Sequence, residues 1–174
     1  YQMAFQLIID GYNLIGCEDG LKGNLEGKRG LLIQKLQRYH QTKYHLVTVV
    51  FDGWRAGWGR QIEERSGGVT IVYSQLGEKA DSVIQKLAKG IGSSCAVVTS
   101  DREVRRNVET SGAVAIFSED FVAKLGLTDR PDVSDEDEMP PTLPRIPFQG
   151  KGKKGNPRKL SKIDRRRREM FKKL

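Results

Sequence analysis

Cysteine is nearly absent. The chain has only Cys17 and Cys95, in no CxxC pair, which excludes a disulfide framework and a zinc knuckle and fits a reducing cytosol. Histidine is as scarce, with His40 and His45 alone. Both fall between a helical and a strand pattern with no acid or cysteine spacing around them, and both are expected at the surface. A serine or cysteine nucleophile therefore has no convincing histidine partner. No apolar run approaches the roughly 20 residues that cross a bilayer, and the first residues do not lead from a charged segment into a signal-type apolar core. The expectation is a cytoplasmic protein without membrane contact. No GxxxxGK[ST] loop occurs, and Gly90-Ile91-Gly92 follows a helical pattern instead of opening one after a strand, so neither a nucleotide hydrolase nor a dinucleotide site is indicated.

Excess positive charge is also missing from most of the chain. Residues 1–144 carry 17 Lys/Arg against 20 Asp/Glu, net −3, whereas residues 145–174 carry 13 against 2, net +11. A basic end on an acidic body reads as an arm for a polyanion, nucleic acid or a ribonucleoprotein surface. At 174 residues the chain holds one well-filled core and an appendage. The expected division is a core domain over residues 1–127, an acidic, proline-rich linker over 128–147, and a basic, partly helical segment over 148–174. No internal repeat is visible, and the sequence is silent on oligomeric state.

What is present is a set of short apolar runs that end in aspartate. Leu7-Ile8-Ile9-Asp10, Leu46-Val47-Thr48-Val49-Val50-Phe51-Asp52 and Ala96-Val97-Val98-Thr99-Ser100-Asp101 suit strands buried on both faces of a mostly parallel sheet. Gly11–Gly30 is expected as a loop, followed by a helix through Leu32, Ile33, Leu36 and Tyr39. Gly53–Gly68 is expected as a second loop, with a short strand at Val69–Tyr73. Ala80, Val83, Ile84, Leu87 and Ala88 make the clearest apolar helical stripe, and Asp81 lies at its rim in the first turn. A helix over Arg102–Thr110, a strand over Val114–Phe117 and a helix from Ser118 complete an α/β, doubly wound sheet flanked by helices. In the tail, Leu160, Ile163, Met170 and Leu174 share one side of a possible helix, interrupted by Arg167. That helix either docks on the core or folds on a partner.

Ligand crevices in such sheets lie outside the carboxyl ends of the strands. Carboxylates gathered there repel one another unless a cation sits between them, and hard oxygen ligands select magnesium or manganese over zinc. Two such ions about 3.5–4 Å apart can activate water and stabilise the leaving oxygen of a phosphodiester displacement. Asp10 is the expected central ligand, completed by Asp81 and Asp101; Asp52 is a further member of the catalytic cluster, or binds an outer-sphere water or orients a loop instead. Asn13 is a candidate for a substrate phosphate or for holding the turn, and Ser100 for steadying a water. Any one of these aspartates alone reads as well as a turn or cap residue. Their recurrence at four element ends is what points to a site.

Ile9-Asp10-Gly11-Tyr12-Asn13-Leu14-Ile15, Val50-Phe51-Asp52, Glu78-Lys79-Ala80-Asp81-Ser82-Val83-Ile84 and Val98-Thr99-Ser100-Asp101 resemble, in order and spacing over about residues 5–126, the four blocks of YacP-like NYN-domain nucleases, relatives of the PIN domains. The resemblance implies a PIN-like fold and a magnesium- or manganese-dependent endoribonuclease. It also implies metal ligation by Asp10, Asp81 and Asp101, and, for a bacterial member, action in mRNA decay on messenger RNA engaged by the ribosome. Around that site, Trp54, Arg55, Trp58, Arg60 and Arg65 offer rings to stack on unpaired bases and guanidiniums for the backbone. Arg102, Arg105 and Arg106 offer a second positive strip. Two other classes compete: an RNA- or ribosome-binding adaptor with a vestigial acidic pocket, and a phosphatase or phosphoacceptor on a similar sheet. The second lacks a DxD nucleophile and the late lysine of a receiver.

Overall fold

The computed structural model describes residues 5–18, 20–53, 60–128 and 161–174. Six strands, β1 (Gln6–Asp10), β2 (Leu46–Phe51), β3 (Ile62–Ser66), β4 (Val69–Tyr73), β5 (Cys95–Val98) and β6 (Val114–Ile116), form one sheet in the order β3-β4-β2-β1-β5-β6. All neighbours run parallel except β3 against β4. The helices are α1 (Gly11–Glu18), α2 (Leu25–Lys43), α3 (Ala80–Ile91), α4 (Arg102–Thr110), α5 (Ser118–Thr128) and α6 (Lys162–Lys173). The expected PIN-like, mostly parallel α/β architecture is the one observed. Among the described residues no helix is long and apolar enough to cross a membrane.

Strand alternation sorts the core into two layers. Leu7, Ile9, Val47, Val49, Phe51, Ala96 and Val98 face one side, where they meet Leu14, Leu32, Leu36, Tyr39, Phe121 and Leu125 from α1, α2 and α5. Ile8, Val50, Val72 and Val97 face the other, against Ala80, Val83, Ile84 and Ala88 of α3 and Val104 and Val108 of α4. Asp10 has the parity of Ile8, and Asp52 that of Val50. Both therefore leave their strands on the side of α3 and α4, the helices that carry Asp81 and follow Asp101.

Two stretches expected as loops are ordered elements. Within Gly11–Gly30, α1 begins directly at the end of β1 and α2 begins at Leu25. Gly11 permits that abrupt start, because a Cβ there would come within 2.3 Å of the Phe51 ring. Tyr12, Leu14 and Ile15 then anchor α1 in the core, a pattern too short for helical periodicity to register. Within Gly53–Gly68, β3 folds back on β4 through Gly67 and Gly68, at φ 55° and 83°, the positive pair that a two-residue hairpin favours. β3 reads as loop because four of its five residues are exposed; its charged side chains blunt that edge of the sheet.

The helix in the tail docks. Met170 and Phe171 pack against the first core layer and Leu174 is fully buried there. Arg167 is no interruption of the stripe: its Nε donates to the Ala115 carbonyl of β6 at 3.0 Å, and its guanidinium also pairs with Glu109. His45 is buried, not at the surface, at 1% exposure. It stacks on Phe5 with ring centroids 3.9 Å apart, and its Nε2 meets the Lys173 carbonyl at 2.9 Å. That partner is distant in sequence, so spacing around His45 gave no sign of it. Apart from Thr128, the acidic linker lies outside the described residues, as do residues 148–160.

Candidate active site

The carboxyl ends of β1, β2 and β5 lie side by side at the middle of the sheet, and α3 starts beside them. Asp10 closes β1, the inner strand between β2 and β5. It is 8% exposed, and its contacts are long: the Asn13 amide and the Thr99 hydroxyl donate to its two oxygens, each at 3.5 Å. Burial and then Asp81 raise its carboxyl to about 7, the Asn13 amide pulls it down, and Asp52 and Asp101 add lesser upward pushes. Asp81 is raised as well, by burial first, then by Asp101 and Asp52, with Lys79 opposing. Four carboxylates from four chain segments therefore share one electrostatic field.

Two of the four have further duties. Asp52 Oδ1 accepts the Ala80 amide at 2.7 Å. Lys79 precedes α3 with no side-chain cap of its own, so the carboxylate at the end of β2 caps that helix and fixes where Asp81 begins. Asp101 Oδ1 accepts from the Glu103 and Val104 amides at 2.8 and 3.2 Å, capping α4, and its own amide donates to Thr99 Oγ1 at 3.2 Å. Thr99 thereby ties Asp101 to Asp10. Negative side chains at the first turns of α3 and α4 also suit the helix dipoles.

A family model for the YacP-like NYN domain matches residues 7–170. The chain belongs to the YacP-like NYN family. Among solved structures it is similar to Rae1 (YacP) from Bacillus subtilis, with 28% identity and a TM-score of 0.60 over 73% of this chain and 76% of that one. A point mutant of the same protein gives 26% identity and a TM-score of 0.61 over 73% and 77%. No curated protein matches the chain.

In this NYN domain Asn13 is a brace. Its Oδ1 accepts the Ser100 amide at 3.0 Å and the Ser118 hydroxyl at 2.6 Å, which locks α1 to the end of β5 and the start of α5. Ser100 directs its hydroxyl to Glu119 at 2.6 Å, and that bond holds the Glu119 carboxyl below the usual range. The sequence pattern did not single out Thr99, Ser118 or Glu119 for the site. Ser118 registers there only as a helix cap, and Glu119 as an ordinary first-turn acid. The expected arginine strip divides: Arg102 and Arg106 are exposed, whereas Arg105 is half-buried with its guanidinium 3.6 Å from the Phe117 ring centre. Lys79 adds a cation that acts on Asp81. Arg60 is exposed and Arg65 lies on β3; Trp54, Arg55 and Trp58 lie outside the described residues.

The donors fit a hard divalent cation in kind. All four are carboxylates, and burial first, then repulsion from the other three, raises Asp10, which is the situation a bound cation relieves. Among the described residues no three His, Cys, Asp or Glu side chains already form an ion-enclosing group.

Proposed function

We propose that this NYN-family chain is a divalent-metal-dependent endoribonuclease that hydrolyses single-stranded RNA, with Asp10, Asp81 and Asp101 holding Mg2+ or Mn2+. The observation that carries the reading is the shared field on buried Asp10, raised to about 7 with Asp81, Asp52 and Asp101 contributing. A structural role would be served by one capping carboxylate at each helix start, without a further, nearly buried aspartate among them. A bound divalent ion supplies activation of water and neutralisation of the charge that develops on the phosphate.

The protein's own groups do the positioning. Asp52 fixes the start of α3, and with it Asp81. Thr99 holds Asp10 and Asp101 in register, while Asn13, Ser100, Ser118 and Glu119 brace the wall behind them. Lys79 and Arg102, beside the carboxylates in the chain, are placed to draw in the phosphate backbone. Trp54, Arg55, Trp58 and Arg60 are assigned to unpaired bases and flanking phosphates. The family resemblance extends the substrate to messenger RNA engaged by the ribosome and the compartment to the cytoplasm. In this reading residues 1–127 are the nuclease domain and the basic segment serves it.

The test is cleavage of a mixed RNA pool in magnesium, manganese or chelator, read by sequencing of new ends. The expected result is internal cuts only with a divalent ion, lost in a folded Asp81→Asn variant. Equal cutting in chelator, or by that variant, overturns the assignment.

A further inference from the structure

The cations of α6 divide into two sets. Arg166 and Arg167 turn inward: Arg166 Nη2 donates to the carbonyls of Ser93 and Gly112 at 3.3 and 3.0 Å, and Arg167 binds the Ala115 carbonyl and Glu109. Together with Met170, Phe171 and Leu174, they fix the helix to the core. Lys162, Arg165, Arg168 and Lys172 take the other side. At 100° per residue these positions fall along one strip, about 15 Å long at 1.5 Å per residue. Lys162, Arg165 and Lys172 are exposed and Arg168 is partly so, and none enters an ion pair among the described residues. Against the inward side, Lys124 lies over the Phe171 ring, and burial together with Lys43 lowers its ammonium. Glu169 is exposed on the same side, so the outward face sets four cations against one carboxylate and is strongly positive, held on a rigid support.

Its place in the fold separates it from the carboxylates. Ser93 and Gly112 lie just ahead of β5 and β6, and His45, which meets the Lys173 carbonyl, just ahead of β2. These are the amino ends of parallel strands, whereas Asp10, Asp52 and Asp101 are at the carboxyl ends. Strands of this length put the two regions on the order of 15–20 Å apart.

The strip's chemistry narrows its partner. It holds no aromatic platform of the kind that single-strand readers use, and no apolar anchor of the kind that protein interfaces use. Of the apolar side that a membrane-surface helix would insert, Met170, Phe171 and Leu174 are spent on the core and only Ile163 is exposed. What remains is a net excess of positive charge, with Glu169 the one carboxylate among the four cations, which suits a phosphate backbone read without regard to sequence.

We propose that the outer side of α6 is a second, non-catalytic RNA contact that grips the phosphate backbone of a double-helical segment, while a single-stranded stretch of the same molecule reaches the carboxylates at the opposite end. The second half rests on the nuclease reading; the binding does not.

The test uses the full chain in chelator, with fluorescence anisotropy on a labelled RNA hairpin between about 50 and 200 mM salt. The variant carries Lys162→Gln, Arg165→Gln, Arg168→Gln and Lys172→Gln, leaving Arg166 and Arg167 in place; Arg165→Glu alone serves if the multiple variant does not fold. Expected are a roughly 10- to 100-fold weaker hairpin complex and a log–log salt slope reduced by up to about 3.6, at about 0.9 for each phosphate no longer neutralised. Cleavage of a short single strand in manganese should be unchanged. An effect on the hairpin persists even if the wild-type chain cuts nothing, so failure of the nuclease reading is told apart. Unaltered hairpin affinity and slope overturn the proposal, as does wild-type binding to phosphatidylglycerol vesicles in place of the hairpin.

Discussion

Replacing Asp10 by asparagine should stabilise the metal-free protein at neutral pH, although it removes a residue at the centre of the site. Asp10 is 8% exposed and is raised to about 7 by burial and by Asp81, Asp52 and Asp101. A folded-state value above the unfolded one means that the native state binds the extra proton between pH ~4 and ~7. The favourable contribution is complete below about pH 4 and is lost as pH rises through about 7. About three pKa units correspond to about 4 kcal/mol at roughly 1.36 kcal/mol each, and relaxation of the partly exposed neighbours reduces this to about 2–4 kcal/mol at pH 8. Asparagine keeps an acceptor oxygen for the Asn13 amide and the Thr99 hydroxyl but carries no charge. Thermal unfolding in chelator should therefore show Asp10→Asn melting about 5–15 °C above wild type at pH 8, at about 2–4 °C per kcal/mol, and the gap should close toward pH 4. His45 titrates in both proteins and cancels in the difference. A variant no more stable than wild type at pH 8, or a gap independent of pH, refutes the shared-field reasoning.

Asp52→Ala should cost about 0.5–2 kcal/mol through loss of the α3 cap and slow cleavage, while Asp52→Asn, which can still accept the Ala80 amide, should retain most activity; equal losses would make Asp52 a charge-dependent ligand. Gly11→Ala should destabilise by about 1–3 kcal/mol, measured by urea denaturation, because the added Cβ meets Phe51 at 2.3 Å. Arg167→Met should cost about 2–4 kcal/mol by leaving Glu109 and the Ala115 carbonyl without their partner, and should expose α6 to limited proteolysis. Burial lowers the His45 pKa below the ordinary 6.5, so the unfolded chain takes up the proton first and stability should fall as pH drops beneath about 6.5. His45→Phe should flatten that dependence.

The central strands were legible because burial on both faces leaves unbroken apolar runs, and the carboxylates because each stands where such a run stops. Parity along β1 and β2 then directs Asp10 and Asp52 toward α3 and α4, a consequence of strand geometry alone. What escaped were features defined by distant partners. α1 is a helix because Tyr12, Leu14 and Ile15 find a core, with Gly11 passing close to Phe51. His45 is buried because Phe5 and the end of α6 enclose it. The Asn13–Ser100–Ser118–Glu119 network joins residues up to 105 positions apart, and hydroxyl-bearing residues near helix starts are too common to single out. Arg167 resembled an error in an apolar stripe because its acceptors, Ala115 and Glu109, belong to a strand edge and a helix far upstream.

Equilibrium binding of Mn2+, followed by electron spin resonance of the free ion near pH 7.5, puts the acidic cluster to its plainest trial. Wild type should bind, and Asp10→Asn, Asp81→Asn and Asp101→Asn should each weaken binding by about tenfold or more, about 1.4 kcal/mol, with thermal unfolding showing all three folded. Binding that is absent in wild type, or unchanged in all three variants, contradicts a shared cation at these carboxylates.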